Sequence, residues 1–389
     1  MSLLKGIKII DLTRFVAGPH CALVLSDLGA EVIKIEKPDK GDDLRIIGPK
    51  VDNISLWAAV LNRGKKSLSL NLKSDEGRSI FFKLLKSADV ILENFRPGVM
   101  EKLKLDWNTI KKINKRIIMA RISGYGQNDT VVSRQAFDAT IQAETGYMNI
   151  SGHDKKPTMI GTVFLDYTTG LNTAIGILAA LHSRTFSGKG ELIETSLVSS
   201  ALSLSMGAVP DFFLNNKNFG KTGNSDRFSS PSNTYKAKNG YIHIMAGSDD
   251  RFYGLVKAMN KKELFNSKLY NTPQKRIINQ KKIDRIVNNW TKKFPIKLIS
   301  KILTKNNVPW GEVKTFGDFL KTKTAKNFLT NGFTKTKTIK VPKCAISVAG
   351  KNTKEKSTIP ELGQDSDKIL KSLGYSKESI SILKKKNVT

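Results

Sequence analysis

Short apolar runs alternate with amphipathic stretches through the N-terminal third of the chain. Residues 7–12 (IKIIDL) form an apolar run of strand length, residues 20–28 (HCALVLSDL) have helical spacing, and residues 31–36 (EVIKIE) form a second strand-like run. Gly29 separates the predicted helix from the second strand. A strand, a helix and a strand in this order predict a β-α-β unit with parallel strands.

The same pattern recurs further along the chain. Residues 67–72 predict a strand, residues 74–86 a helix that Ser74 opens, and residues 90–92 the next strand. Ser74 is a favoured N-cap, and the two acidic residues after it suit the positive end of a helix. Residues 117–122 add another strand. This alternation predicts an α/β fold with a parallel sheet covered by helices, Rossmann-like but without the G-x-G-x-x-G dinucleotide motif after the first strand.

A long helix and a second domain are predicted from the rest of the chain. Residues 166–182 place Leu and Ile at helical spacing, 187–190 (SGKG) predict a tight turn, 191–197 a strand and 201–214 a helix. We predict four segments: a large domain over 1–214, a polar linker at 215–232, a small α+β domain at 233–325, and a return to the large domain at 326–389. Two short amphipathic helices are predicted after residue 362.

The charge is unusual for a protein of this size. The 389 residues include 65 Lys and Arg against 34 Asp and Glu, a net charge of +31. Such a charge favours polyanion binding. However, the basic residues are mostly lysine, are spread over the whole length, and accompany no nucleic-acid-binding motif. We therefore expect no nucleic-acid partner, but a local positive field that attracts a phosphorylated ligand.

Apolar runs and cysteines bear on the compartment. No run approaches the ~18 apolar residues that span a bilayer, and the apolar part of the N-terminus is too short for a secretory signal. Cys21 and Cys344 are too few and too far apart to predict a disulfide framework or a metal cluster. We expect a cytoplasmic protein with no membrane partner and no metal site.

Seven sequence blocks in consecutive order resemble the class III CoA-transferases, a family that includes formyl-CoA transferase and carnitine CoA-transferase. The blocks are GIKIIDLTRFVAGPHCALVLSDLGAEVIKIEKPDKGDDLR, NRGKKSLSLNLKSDEGR, ADVILENFRPGVMEKLKLDW, ISGYGQ, FDATIQAETGYMNISG, DYTTGLNTAIGILAALHSRTFSGKGE and LGQDSDKILKSLG. The resemblance implies a Rossmann-like large domain formed from both chain ends, a small domain between two linkers, and two chains interlocked as a homodimer. It implies acyl-CoA and a small carboxylic acid as substrates, with no permanently bound cofactor.

The resemblance places a carboxylate nucleophile at Asp166. In this family the carboxylate forms a mixed anhydride with the donor acyl group and then an aspartyl-CoA thioester, which is covalent catalysis. From the residues alone, Asp166 also suits the N-cap of the predicted helix, and the two roles are compatible. We expect Gly170, one turn later, to leave room for the thioester.

The resemblance also implies contacts with coenzyme A. Matched residue by residue, these are Val16, Ala17, Lys37, Leu70, Asn71, Leu72, Lys73, Asn94, Phe95, Arg96, Lys102, Gln135, Ala136, Phe137 and Asp138. Lys37 and Lys102 replace arginines of the formyl-CoA transferases, and lysine keeps the charge without the bidentate fork. Asn94 and Phe95 suit hydrogen bonding and stacking with adenine. Asp138 either orients the active-site region or serves as a helix N-terminal charge.

The 2-methylacyl-CoA racemases of the same superfamily are the alternative. Their reaction needs two bases, typically an Asp and a His, and the His precedes an Asp at the position of Phe137 here. Phenylalanine carries no proton, and His153 lies too far along the chain to be its equivalent. A non-catalytic protein that binds CoA or a polyanion is a further alternative, and the presence of Asp166 argues against it.

Two departures from the formyl-CoA transferases concern the substrate. Val16 replaces a glutamine that contacts a small diacid, and no glycine-rich flap is evident between residues 200 and 240. These differences argue against oxalate or formate. We expect transfer from succinyl-CoA to a small dicarboxylic acid.

Overall fold

The structure is a computed structural model that describes residues 2–51, 53–127, 131, 134–153, 155–347, 349 and 357–389. It divides into two compact units. The first unit comprises Met1–Gly146, Ile160–Lys217 and Asn327–Thr389, and the second comprises Tyr147–Met159 and Asn218–Lys326. The segment Tyr147–Met159, which the sequence assigned to the large domain, therefore belongs to the second unit.

Strands and helices alternate over much of the described chain. The strands are β1 (Lys8–Asp11), β2 (Glu31–Glu36), β3 (Lys50–Val51), β4 (Ile54–Ser55), β5 (Lys66–Ser69), β6 (Val90–Glu93), β7 (Ile118–Ser123), β8 (Leu192–Ser196), β9 (Ser232–Ala237), β10 (Gly240–Met245), β11 (Trp310–Glu312), β12 (Leu329–Phe333) and β13 (Thr338–Pro342). The helices are α1 (Ala17–Asp27), α2 (Leu56–Leu61), α3 (Asp75–Leu85), α4 (Val99–Lys102), α5 (Trp107–Ile113), α6 (Asp138–Glu144), α7 (Tyr147–Ile150), α8 (Phe164–Ser187), α9 (Leu197–Ser203), α10 (Ala208–Asn215), α11 (Asp249–Ala258), α12 (Pro273–Ile278), α13 (Gln280–Thr291), α14 (Ile296–Lys305), α15 (Phe316–Leu320), α16 (Lys323–Asn327), α17 (Ser366–Ser372) and α18 (Lys377–Lys385). Short 3₁₀ helices cover Asp43–Arg45 and Lys262–Leu264.

A six-stranded parallel sheet forms the centre of the first unit. Its order is β5-β2-β1-β6-β7-β8, and every neighbouring pair is parallel. Numbered along the chain, these strands follow the order 3-2-1-4-5-6, which is the order of the doubly wound fold. The mixed α/β class and the parallel sheet predicted from the alternation are confirmed. The order reverses between β1 and β6, and ligands of such folds bind outside the carboxyl ends of the strands at this point.

Both chain ends contribute to the core of the first unit. The central strands β6 and β7 are buried along their whole length, as expected of a sheet covered on both faces. Ile369 and Leu370 of α17 and Leu383 of α18 pack in the same apolar cluster as Phe81 of α3 and Ile91 of β6. The two predicted tail helices are thus present, and they complete this core.

Helices α1 and α8 approach each other closely at Gly170. A Cβ atom placed on Gly170 would lie 2.5 Å from the carbonyl oxygen of Ala17 and 3.2 Å from the nitrogen of Cys21. The missing side chain therefore admits the backbone of α1. The expectation that Gly170 leaves room for a thioester is wrong, because α1 fills that space.

The apolar stretch near residue 205 forms two helices instead of the predicted one. Helix α9 ends at Ser203 and α10 begins at Ala208. Met206, between them, has a φ angle of +51°, which a continuous right-handed helix excludes. In the part of the chain that the structure describes, no single helix is long and apolar enough to cross a membrane, and α9 and α10 pass that test only as a pair bent by 75°.

The second unit has its own sheet and core. Strands β9, β10 and β11 form an antiparallel sheet in the order β11-β10-β9. Ile242 and Ile244 of β10 pack in one apolar cluster with Leu255 of α11, Val287 of α13 and Ile299 of α14. Strand β10 and helices α11, α13 and α14 all lie within residues 233–325, for which the sequence predicted a small α+β domain.

Candidate active site

A cavity of about 980 Å³ lies at the carboxyl ends of the parallel strands. Its wall includes the residues that follow five neighbouring strands: 12–17 after β1, 37–39 after β2, 70–73 after β5, 94–97 after β6 and 124–126 after β7. The cavity therefore lies where the doubly wound topology predicts a ligand site.

The structure brings most of the predicted site residues together. The described wall contains Val16, Ala17, Lys37, Leu70, Asn71, Leu72, Lys73, Asn94, Phe95, Arg96, Gln135, Ala136, Phe137 and Asp166. Lys102 and Asp138 are not among the described wall residues. Lys102 is exposed at the end of α4, and Asp138 is buried at the start of α6. That the wall residues bind coenzyme A stays a prediction.

Sequence reasoning missed several wall residues, among them Arg14, Phe15, Tyr125, Arg134 and Asn387. Arg14, Phe15 and Tyr125 lie within four residues of the carboxyl ends of β1 and β7, so the rule that ligands bind at strand ends could have found them. No sequence signal indicated Arg134 or Asn387.

Asp166 is the third residue of α8 and not its N-cap. The helix begins at Phe164, and Val163 occupies the cap position without a side-chain hydrogen bond. The expectation that Asp166 caps its own helix is therefore wrong, because the helix starts two residues earlier than the sequence pattern indicated. The Asp166 side chain is consequently available to the cavity.

Asp138 caps this helix from another part of the chain. Its Oδ2 atom accepts hydrogen bonds from the main-chain nitrogen of Leu165 at 2.7 Å and of Asp166 at 3.1 Å. Gln142 Nε2 donates to Oδ1 of Asp138 at 2.5 Å. Asp138 is also the first residue of α6, so the two roles considered for it from the sequence do not exclude each other. It is a helix N-terminal charge, and it fixes the main chain that carries Asp166.

The carboxyl group of Asp166 has an altered acidity. Burial raises its pKa to about 7, and the negative charge of Asp138 adds to this effect. A carboxyl with this pKa is ionised in a large fraction of molecules at neutral pH, yet its carboxylate is more basic than an exposed one. A strongly shifted pKa inside a cavity is characteristic of functional sites. The arrangement suits a carboxylate nucleophile.

Asn94 serves the architecture of the cavity wall. Its Oδ1 accepts a hydrogen bond from the Arg14 nitrogen at 2.8 Å, and its Nδ2 donates to the Arg14 carbonyl oxygen at 2.7 Å. The next residue, Phe95, donates its N–H to Glu93 Oε2 at 2.7 Å. Much of the hydrogen-bonding capacity that suggested an adenine contact thus joins the ends of β1 and β6.

Buried charges lie beneath the turn that follows β1. Lys65 Nζ is 2.9 Å from Asp11 Oδ2, and Lys34 Nζ is 2.9 Å from Asp42 Oδ2. Burial alone would raise the pKa of Asp11, but the cations of Lys34 and Lys65 hold it below its usual value. Because a buried charge is costly without a partner, these pairs are mutually dependent.

A polar cluster around Glu144 includes two residues of the cavity wall, Tyr125 and Arg134. Tyr125 donates its hydroxyl to Glu144 Oε2 at 2.8 Å, and Arg134 forms an ion pair with the same carboxylate. The Arg134 guanidinium also lies 5.3 Å from the centre of the Tyr125 ring.

Among the described residues, no group of three or more His, Cys, Asp or Glu side chains is arranged to hold a metal ion.

Curated proteins of known activity match most of the chain. It is 33% identical over 320 residues to a succinyl-CoA–D-citramalate CoA-transferase of Chloroflexus aurantiacus, covering 82% of this chain and 80% of that protein. It is also 33% identical to a succinyl-CoA:glutarate CoA-transferase of Mus musculus, covering 95% of this chain and 86% of that protein.

A solved structure and a family model also match most of the chain. The fold is similar to that of a CAIB/BAIF family protein from Brucella suis with a TM-score of 0.85 and 29% identity, over 96% of this chain and 99% of that one. The sequence model of CoA-transferase family III matches residues 4–366. The chain therefore belongs to CoA-transferase family III and is an enzyme that transfers coenzyme A.

Proposed function

We propose that this chain is a cytoplasmic enzyme that moves coenzyme A from a donor acyl-CoA to an acceptor carboxylic acid through covalent intermediates on Asp166. The observation that carries the proposal is Asp166 itself. It lines the cavity at the strand ends, its main-chain nitrogen is held by Asp138, and its pKa is raised to about 7. A carboxyl that only capped a helix would need neither the cavity nor the raised pKa.

The proposed reaction has four steps. The Asp166 carboxylate attacks the donor thioester carbonyl, a C–O bond forms, and the C–S bond breaks to release the CoA thiolate. The thiolate then attacks the aspartyl carbonyl, which releases the donor acid and leaves an aspartyl-CoA thioester. The acceptor carboxylate attacks this thioester and forms a second anhydride with loss of the thiolate. Attack of the thiolate on the acceptor acyl carbonyl gives the new acyl-CoA and restores the carboxylate.

The cavity wall offers the groups that coenzyme A requires. Lys37, Lys73 and Arg96 are exposed on the wall, and their charges suit the phosphates. Leu70 and Phe95 add apolar surface for the adenine. We propose these residues as the CoA contacts. Asn94 has a positioning role, because its side chain joins the segments that follow β1 and β6.

We propose succinyl-CoA as the donor and a small dicarboxylic acid as the acceptor. The support comes from two relatives, named for transfer from succinyl-CoA to D-citramalate and to glutarate. Val16, where the formyl-CoA transferases have glutamine, lines the cavity. An apolar side chain at this position disfavours the smallest diacid and tolerates a longer carbon chain.

We also propose that the enzyme is a homodimer. Helix α8 exposes Ile175 and Phe186, whose exposed fractions are 65% and 80%, and α10 exposes Phe213 and Leu214. Exposed apolar surfaces of this kind mark protein interfaces, and the family resemblance indicates a second copy as the partner. Light scattering that gives the mass of a single chain would contradict this proposal.

The test is mass spectrometry of the enzyme after brief incubation with succinyl-CoA and hydroxylamine. We expect a hydroxamate on Asp166 that appears only with the thioester, and loss of transfer in parallel. Asp166→Ala should show neither the adduct nor transfer. Asp75→Ala is a matched control, because Asp75 also lies in the first turn of a helix but is exposed and outside the described cavity wall.

The racemase alternative gives a different outcome. If Asp166 stays unmodified while a chiral 2-methylacyl-CoA loses its configuration, the proposed transfer is wrong. Among the described wall residues there is no histidine. His20 packs on Tyr167 with ring centres 4.3 Å apart, and burial lowers its pKa to about 4. Among the described wall residues, Asp166 therefore has no histidine partner of the kind that racemases use.

A further inference from the structure

Phe15 has a backbone conformation that bulky residues rarely adopt. Its φ angle is +61°, in the left-handed region, which is sterically unfavourable for a bulky L-residue. Phe15 lies in the turn between β1 and α1 and lines the cavity that contains Asp166. Strain of this kind persists only where the surroundings fix it, and it is concentrated at functional sites.

Side chains from other segments hold the main chain of the turn between β1 and α1 in place. Lys34 Nζ donates to the carbonyl oxygen of Thr13 at 2.6 Å. The next residue, Arg14, forms two hydrogen bonds with the Asn94 side chain, one through its main-chain nitrogen and one through its carbonyl oxygen. Phe15 itself donates its N–H to Asp42 Oδ1 at 3.1 Å. Three successive residues are therefore held by side chains from three other segments, which compensates for the strained φ angle.

The strained turn places the Phe15 ring against a second aromatic ring. The ring centres of Phe15 and Phe137 are 5.5 Å apart, and the planes are at 86°, an edge-to-face arrangement that aromatic pairs favour. Both rings line the cavity, and Phe137 remains 50% exposed. Phe137 directly precedes Asp138, which holds the main-chain nitrogen of Asp166.

We propose that Phe15 and Phe137 form an aromatic wall that keeps water from the acylated Asp166, and that Asp42 is the positioning residue for Phe15. This inference rests on the proposed covalent mechanism. In the competing hydrolysis, a water oxygen bonds to the aspartyl carbonyl carbon, the C–S bond breaks, and the water proton passes to the CoA thiolate. The net result is free acid and free CoA instead of a new acyl-CoA.

The physical reason is the chemistry of the two rings. A water molecule beside an aromatic wall finds no hydrogen-bond partner there, and leaving it unpaired is costly. Excluding water from a closed site prevents the hydrolysis of reactive intermediates. The acceptor acid is larger and brings its own nucleophilic oxygen, so the same wall does not exclude it.

The experiment measures transfer and hydrolysis in one reaction. The full-length enzyme is incubated with succinyl-CoA and glutarate, and glutaryl-CoA and free CoA are quantified separately. In Phe137→Ala and in Phe15→Gly, which accepts the positive φ angle, we expect the ratio of transfer to hydrolysis to fall about tenfold. Phe328→Ala is the control, because it removes an exposed ring that is not among the described wall residues, and it should keep the wild-type ratio.

Asp42 is tested by a matched pair of substitutions. Asp42→Ala removes the oxygen that accepts the Phe15 N–H. The ratio of transfer to hydrolysis in this variant should fall as it does in Phe15→Gly. Asp42→Asn retains an oxygen in that place and should restore the ratio, which a general loss of stability would not do. If Asp42→Ala does not fold because Lys34 loses its partner, the phenylalanine variants decide the question.

Two results would overturn the proposal in distinguishable ways. A ratio within about twofold of wild type in both Phe137→Ala and Phe15→Gly, with a normal Asp166 adduct, rejects the aromatic wall and leaves the covalent mechanism intact. Absence of any adduct on Asp166 in the wild-type enzyme removes the intermediate that the wall protects, so that the inference fails together with the proposed function.

Discussion

Asp138 Oδ2 lies 3.1 Å from the main-chain nitrogen of Asp166. One carboxylate thus fixes the backbone of the other while its charge discourages ionisation of the neighbouring side chain. These two effects act in the same direction for a nucleophile, because the position is fixed and the basicity is raised.

The pH dependence of the reaction should report this pair. We expect kcat/KM for succinyl-CoA to fall as the pH is lowered through about 7, because a protonated Asp166 is not a nucleophile. Asp138→Asn removes the neighbouring negative charge, so the pKa of Asp166 should fall and the acid limb should move to lower pH by about half a unit to one unit. Burial, the larger cause, remains, so the pKa should stay above its ordinary value.

The control for this experiment is Asp318→Asn, which changes an exposed carboxylate in the second unit. In Asp138→Asn the neighbouring Gln142 must rearrange its amide, so some loss of stability is expected as well. A loss of stability lowers the rate at every pH, whereas the midpoint moves only with the pKa. An unchanged or higher midpoint in Asp138→Asn would contradict the assignment.

Two adjacent lysines should differ greatly in their effect on stability. Lys65 and its partner Asp11 are fully buried, whereas Lys66 pairs with Glu31 at a site where its side chain is 42% exposed. Lys65→Met leaves Asp11 without its closest cation and should lower the free energy of unfolding by ~3–5 kcal/mol. Lys66→Met should change it by ~0–1 kcal/mol. Urea denaturation of both variants checks this, and equal losses would refute the importance of the buried pair.

The contact between α1 and α8 should tolerate no side chain at Gly170. A Cβ atom there would lie 2.5 Å from the Ala17 carbonyl oxygen, and Gly170→Ala should destabilise the protein by ~1–3 kcal/mol. Gly176 lies in the same helix, but its Cβ would meet only the Ile193 Cγ2 atom at 2.9 Å. Gly176→Ala should destabilise the protein less than Gly170→Ala, because it meets a side chain and not the main chain, and ~1 kcal/mol of helix propensity offsets part of the steric cost. Thermal unfolding of the two variants distinguishes these expectations.

Local patterns predicted most of the sheet and its first helices. Strand β2 coincides with the predicted residues 31–36, and the Ser74 hydroxyl caps α3 by accepting the N–H of Gly77 at 3.0 Å. These features depend on near neighbours in sequence. The break between α9 and α10 was missed because the apolar pattern continues through it, while the left-handed φ angle of Met206 leaves no periodic signal.

Local sequence patterns could not predict the contacts that organise the site. Asp138 bonds to Leu165, which is 27 residues away, and Asn94 bonds to Arg14, which is 80 residues away. The family resemblance suggested Asp166 as a nucleophile and Asn94 as a CoA contact, whereas the residue pattern alone favoured an N-cap at Asp166. Only the folded chain shows that Asp138 and Asn94 support the main chain of other site residues.

The close packing at Gly170 joins two parts of the site. The strained turn that carries Phe15 leads into α1, Asp166 lies in the first turn of α8, and the backbones of the two helices meet without an intervening side chain. A shift of one part would have to carry the other with it. Of the partners in the proposed reaction, the carboxylate is thus the stationary one, and the acyl group and the thiolate must make the movements that exchange them.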